Sequence, residues 1–174
     1  MIGKVVRGGV AAAVVGAGVI GFGQVASNED ETVRNESGEI VESGGLGAFR
    51  MQVGDCLRYP DGAGGSEPYE VASVEGVPCA EPHDGEVYAL FDLPHGSSAP
   101  FPGQGPVFDE AAIGCLDRFT AFIGISYANS PTWDIEALYP TLEGWTQIDD
   151  REVVCIVVPL DGVPTTGSAE GSRI

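Results

Sequence analysis

The densest group of chemically capable side chains is Pro82-His83-Asp84-Gly85-Glu86, which places an imidazole and two carboxylates within four residues. His83 and Glu86 carry donor atoms suited to a metal ion, and an imidazole oriented by Asp84 is the arrangement of a general base. One reading is therefore a metal-assisted hydrolase using His83, Asp84 and Glu86. The other is a turn entering a strand, with Asp84 and His83 capping backbone groups, as short polar side chains beside Pro and Gly commonly do. The turn is the preferred reading, so no catalytic, cofactor-binding or metal-binding residue is assigned. Neither catalysis nor a cofactor is expected.

The remaining inventory is sparse. His95, the only other histidine, sits in a Pro- and Gly-containing loop. Gly124-Ile125-Ser126-Tyr127-Ala128 approaches a nucleophile elbow, but it follows a helical pattern and no histidine comes after Ser126 to complete the hydrolase order. Gly16-Ala17-Gly18-Val19-Ile20-Gly21 spells a dinucleotide fingerprint. The helix it needs is missing, because the following SNEDETVRNESGE offers only Val33 as an apolar face. Asp149-Asp150-Arg151 follows Trp145, and Arg151 has Asp84, Glu86 or its own neighbours as partners. Trp145 and Tyr139 either line a surface or pack beside Pro140. His83, Asp84, Glu86, Trp145 and Arg151 together make the candidate binding surface.

Several elements must position these groups. Short β-rich runs at Cys56 to Tyr59, Tyr69 to Val74 and Glu86 to Asp92 are separated by turn signals such as Asp61-Gly62 and Glu81-Pro82. From Pro106 to Ile123 the period changes: Phe108, Ala112, Cys115, Phe119 and Phe122 recur at helical spacing, with Asp109 and Glu110 expected in the first turn. Thr132 to Leu138 reads as a strand, and Glu152 to Pro159, apolar throughout its centre, as a strand buried on both faces. The order β-β-β-α-β-β predicts an α+β fold, a small mostly antiparallel sheet with one main helix packed on it.

Four cysteines, Cys56, Cys79, Cys115 and Cys155, lie in this unit with 22, 35 and 39 residues between them. Such spacings lack the short knuckles of a zinc site, and an even set without a CxxC pair points to two disulfides. Cys115 is on the apolar helix face and Cys155 alternates with Val153 and Val157, so a helix on that strand joins these two. Cys56 and Cys79 then pair between neighbouring early strands.

Residues 8–26, preceded by Lys4 and Arg7, carry no charge and just match the thickness of a bilayer core at helical rise. They predict one N-terminal transmembrane helix with residues 1–7 cytoplasmic and the rest extracytoplasmic. A cleaved signal, with Val25-Ala26-Ser27 at its end, is the alternative and gives a secreted soluble protein. The net charge of −18 disfavours nucleic acid and anionic lipid headgroups as partners. The membrane contact therefore falls to the helix. Residues 27–48, with six acidic residues and few apolar ones, predict a disordered linker extended by like-charge repulsion, 49–162 the folded domain, and 163–174 a disordered tail.

Val53-Gly54-Asp55-Cys56, the run Val77-Pro78-Cys79-Ala80-Glu81-Pro82-His83-Asp84-Gly85-Glu86-Val87, Cys115, Pro140-Thr141 with Trp145, and Asp150-Arg151-Glu152-Val153-Val154-Cys155 resemble the septum formation family of actinobacterial envelope proteins. The resemblance covers residues 53 to 157. It implies a single-span or exported protein with a small cysteine-containing domain and a link to division septa, and it supplies no catalytic residue. That family often has Gly-Asp-Arg before the last strand; Asp149 stands in the glycine's place, which implies a different turn. The combined expectation is a membrane-anchored, extracytoplasmic, non-catalytic binding or structural module of the cell envelope, whose partner is an envelope or division protein not named by the sequence.

Overall fold

The computed structural model describes residues 10–12, 30–59 and 73–174. Their strands are β1 (Val10–Ala12), β2 (Val33–Arg34), β3 (Ile40–Glu42), β4 (Gly44–Gly47), β5 (Cys56–Arg58), β6 (Ser73–Val77), β7 (Gly85–Asp92), β8 (Trp133–Pro140) and β9 (Glu152–Pro159). The helices are α1 (Gln104–Ile123) and α2 (Leu142–Gln147). Seven strands form one sheet in the order β1-β8-β9-β7-β5-β6-β4, and β2 and β3 form a separate hairpin. Every named pairing is antiparallel except β1 with β8. The expected α+β architecture is present.

β9 lies inside the sheet between β8 and β7, and its two sets of side chains explain its unbroken apolar run. Val153, Cys155 and Val157 face α1, while Val154, Ile156 and Val158 face the other way. α1 presents Val107, Ala111, Cys115, Phe119 and Ile123 to the first core, with Phe108 and Phe122 partly buried at its margins. It rests so near β7 at Gly114 that an added Cβ would run into the Phe91 ring. The helix begins two residues before the expected Pro106, which therefore occupies its third position, where no intrahelical N–H is required. Asp109 and Glu110 consequently fall in the second turn. Gly124, at φ +89°, ends the helix by donating its N–H to the Thr120 carbonyl.

The second face overturns one boundary. Residues 30–48, expected as a disordered linker, are folded onto the sheet: Ile40, Leu46 and Ala48 join Met51 in a core with Leu57, Val87, Leu138 and Ile156. β4 pairs with β6, and Arg34 clamps Asp55 through two bonds of 2.6 and 2.9 Å. A few well-placed apolar residues and one bidentate pair outweigh the acidic average of the segment. The tail is corrected likewise. Residues 163–174 follow a defined path in which Ala169 is buried, held chiefly by backbone and carboxylate hydrogen bonds.

The structure joins Cys56 to Cys79 and Cys115 to Cys155, the pairing read from the sequence. The anchor reading of 8–26 lies outside the described residues except for Val10–Ala12, which run parallel to Leu138–Pro140. Residues 1–7, and the start of the run read from Tyr69, lie outside them too. Among the described residues no helix is long and apolar enough to cross a membrane.

Candidate functional site

The His83–Glu86 group forms a corner where the chain enters β7. Gly85 permits it, since a Cβ there would meet Ile156 Cγ2 at 2.7 Å and Val158 Cγ1 at 3.1 Å. His83 is 1% exposed, and its Nδ1 lies 2.8 Å from the Glu81 carbonyl. A carbonyl only accepts, so that nitrogen carries the proton. Asp84 accepts the Tyr59 N–H at 2.8 Å. Glu86, 3% exposed, accepts the Ser168 hydroxyl on one oxygen and the Ala169 N–H on the other, both at 2.6 Å. Burial pushes the Glu86 carboxyl above its ordinary range, against these two bonds, which favour the charged form.

The C-terminal segment is therefore strapped across this corner. His83 and Thr165 exchange both backbone hydrogen bonds at 2.9 Å, and Gly167 donates to the Cys79 carbonyl at 2.6 Å. Farther on, Gly171 and Arg173 donate to the carbonyls of Phe122 and Ile123, and Trp133 Nε1 donates to the Ser172 hydroxyl. The space among His83, Glu86, Trp133, Val157, Thr165 and Ala169 is too small to admit a water molecule. Cys56 Sγ, Cys79 Sγ and a Glu86 oxygen lie within 4.8 Å of one another, but both sulfurs are spent in the disulfide. They are not thiolates able to ligate a metal.

Arg151 lies at the other end of the same strand pair. β7 and β9 are registered with Glu86 opposite Val157 and Asp92 opposite Glu152, so the two ends are about 20 Å apart at strand rise. Arg151 is 7% exposed; its guanidinium stacks 3.7 Å over the Trp145 ring and donates to Asp149 at 2.8 Å. Of the partners considered from sequence, only its own neighbour is used; Asp84 and Glu86 are out of reach. Trp145, 2% exposed, donates to the Ala99 carbonyl at 2.7 Å, and His95 packs against its ring while meeting Glu110 at 2.8 Å. Tyr139 is likewise core.

The turn before β9 holds its own tension. Asp149 adopts φ +59°, the left-handed conformation in which a glycine is at ease. Asp150 is 6% exposed; one carboxylate oxygen accepts the Glu152 N–H, while the other, like Arg151 Nε, is buried without a hydrogen-bond partner. Burial raises its pKa to about 6, opposed by the Glu152 amide and Arg151 and reinforced by Asp92. Glu152 is raised by burial and by Asp150 and Asp92. These residues border an open recess of about 390 Å³ with Phe49, Leu93 and His95.

The five residues proposed as one binding surface thus fall into two groups, and four of them are buried. The structure brings His83, Asp84 and Glu86 together, and separately Trp145 and Arg151. Sequence reasoning missed Ser168 and Ala169, whose polar, glycine-rich surroundings give no periodic signal. It gave His95 no role beyond a loop position, and it missed α2, although Thr141 followed by Glu143 is a helix-start signal: Thr141 Oγ1 accepts the Gly144 N–H at 3.2 Å.

The geometry defines a class first: a small α+β module stapled by two disulfides, whose most reactive-looking side chains are built into its turns. The family model described as septum formation matches residues 53–173, and the chain belongs to that family. The match takes in the strap and both carboxylate-bearing turns, and begins after the hairpin that closes the second face. Among curated proteins and solved structures, none matches the chain significantly.

Proposed function

We propose that this protein is a membrane-anchored, extracytoplasmic, non-catalytic module that acts by binding an envelope or division protein at the septum. One observation carries the non-catalytic part: His83, Asp84 and Glu86 are each committed to a structural hydrogen bond, and the space between His83 and Glu86 is too small for the water that hydrolysis consumes. The family's link to septum formation supports the place of action, and the uncharged run 8–26 behind Lys4 and Arg7 supports the anchor. Asp30, bridged to Leu46, stands four positions past the end of that run in sequence, so an anchor at 8–26 leaves a short span before the sheet rather than a long tether.

Pairing of Val10–Ala12 with β8 is the competing arrangement for the start of that run, since a segment cannot sit in the sheet and in the bilayer at once. The test is a fluorescent fusion of the full chain combined with membrane fractionation. The proposal expects membrane-bound protein concentrated at division sites, and His83→Ala that stays folded should keep that pattern and support division. Uniform cytoplasmic signal overturns the localisation. Loss of division by a folded, correctly placed His83→Ala overturns the non-catalytic reading.

A further inference from the structure

The open recess beside the turn before β9 gathers negative charge and leaves it unanswered. Asp92 and Glu152 stand directly opposite one another at the end of the β7–β9 pair, so both side chains project from the same face of the sheet. Like charges in that position repel. Among the described residues neither carboxylate has a hydrogen bond or an ion pair to offset this. Burial raises the Glu152 carboxyl, and the charges of Asp150 and Asp92 raise it further. Asp150, more than nine-tenths buried, borders the same recess and keeps one oxygen without a partner. The basic side chains on the border are committed elsewhere: Arg151 lies over Trp145 and donates to Asp149 and two carbonyls, and His95 is turned to Glu110.

A cation from outside relieves this crowding, and the spacing of the acceptors decides its kind. Among the described residues, the group whose ligand atoms all lie within 4.8 Å of one another is Cys56, Cys79 and Glu86, at the far end of the strand pair. The recess carboxylates therefore do not converge on a point, as a metal ion or the point charge of an ammonium requires. A guanidinium spreads five N–H donors over a plane and bonds to separated carboxylates at once. Phe49, half-buried on the border, adds an aromatic ring that attracts the same flat cation.

The geometry points to this recess as the seat of an arginine side chain from a partner protein, with Asp92 and Glu152 as its acceptors and Phe49 as its aromatic wall. The inference rests on the reading of the domain as a binding module and names the chemistry of what it binds: an arginine-bearing, basic segment. The net charge of −18 draws such a segment in from a distance.

Titration of the full-length protein in a non-ionic detergent tests it, with acetyl-Gly-Arg-Gly-amide as probe and the backbone amide shifts of Phe49, Asp92 and Glu152 as readout. The arginine peptide should move these amides saturably, and its uncharged citrulline counterpart should need about tenfold more to do so. Asp92→Asn with Glu152→Gln should weaken binding about as much, while its urea midpoint stays at or above that of the parent because the repulsion is gone. Should the double variant misfold, Asp92→Asn alone, at an exposed position, takes its place. Equal binding of the citrulline peptide, parent-like binding by the variant, or calcium saturating the same amides at lower concentration than the peptide overturns the proposal. Septal placement is read in cells and this binding in solution. A septal protein blind to arginine breaks only this inference, and one that binds arginine yet is absent from septa breaks only the earlier reading.

Discussion

The two ends of the β7–β9 pair handle buried charge in opposite ways. At the Glu86 end a buried carboxylate has both oxygens satisfied by a strap that the chain brings back to it. At the Asp150 end a buried carboxylate leaves one oxygen unpaired, beside an arginine whose Nε is unpaired too. A fully satisfied buried polar group specifies one arrangement of the chain, whereas a half-satisfied one costs free energy and makes its neighbourhood responsive to pH. The first end is a clasp and the second a titratable turn.

Removing the bridge beneath the clasp should have the largest effect. Replacing Cys56 and Cys79 together by Ser is expected to cost about 3 to 4 kcal/mol in the chain-entropy account, measured by urea unfolding, and to open residues 163–174 to proteolysis. A loss under about 1 kcal/mol would mean that the clasp organises itself without the disulfide. Glu86→Gln keeps the shape and one acceptor but removes the charge, and should cost about 2 kcal/mol with faster cleavage of the strap as its local signature. An equal rise in cleavage throughout the domain would instead show that the strap is not a separate unit.

At the other end the expected response is a slope. The Asp150 carboxyl, raised to about 6 in the fold, holds its proton more tightly there than in the unfolded chain. Its contribution to stability is therefore full below about pH 4 and is lost as pH rises through about 6. Glu152 and Glu86, also raised, act in the same direction. Asp150→Asn should flatten the decline in urea midpoint between about pH 4 and pH 7, and an unchanged slope assigns it to the other two carboxyls. The smallest change is expected for Asp149→Gly. Relief of a left-handed non-glycine backbone, about 1 kcal/mol, opposes loss of a half-exposed ion pair with Arg151, so stability should stay within about 1 kcal/mol of the parent. A larger loss would assign Asp149 a role in holding Arg151 over Trp145.

What was legible in the sequence follows the same division. Alternation and helical spacing revealed β5, β7, β8, β9 and α1, because these elements bury a periodic apolar face, and the cysteine pairing followed from their packing. The segment 30–48 was misread because composition averages over position: Ile40, Leu46 and Arg34 matter through where they land, among many acidic residues that stay at the surface. The strap was misread because hydrogen bonds to Glu86 and His83 leave no hydrophobic pattern. In the candidate sites, residue types identified the participants correctly as polar and aromatic. Their division into two places about 20 Å apart depended on β7 running its full length between them.

The strand that joins the sheet's two other longest strands is also the last of the described strands in chain order. β9 separates β8 from β7, so a growing chain that has not yet delivered Glu152–Pro159 holds both neighbours with nothing to join them. Cys56 and Cys79 are already present on adjoining segments and can be oxidised early, whereas the Cys115 thiol must wait for Cys155. Chain order alone lets the Cys56–Cys79 bridge close before the Cys115–Cys155 bridge, whose second thiol sits on the last strand.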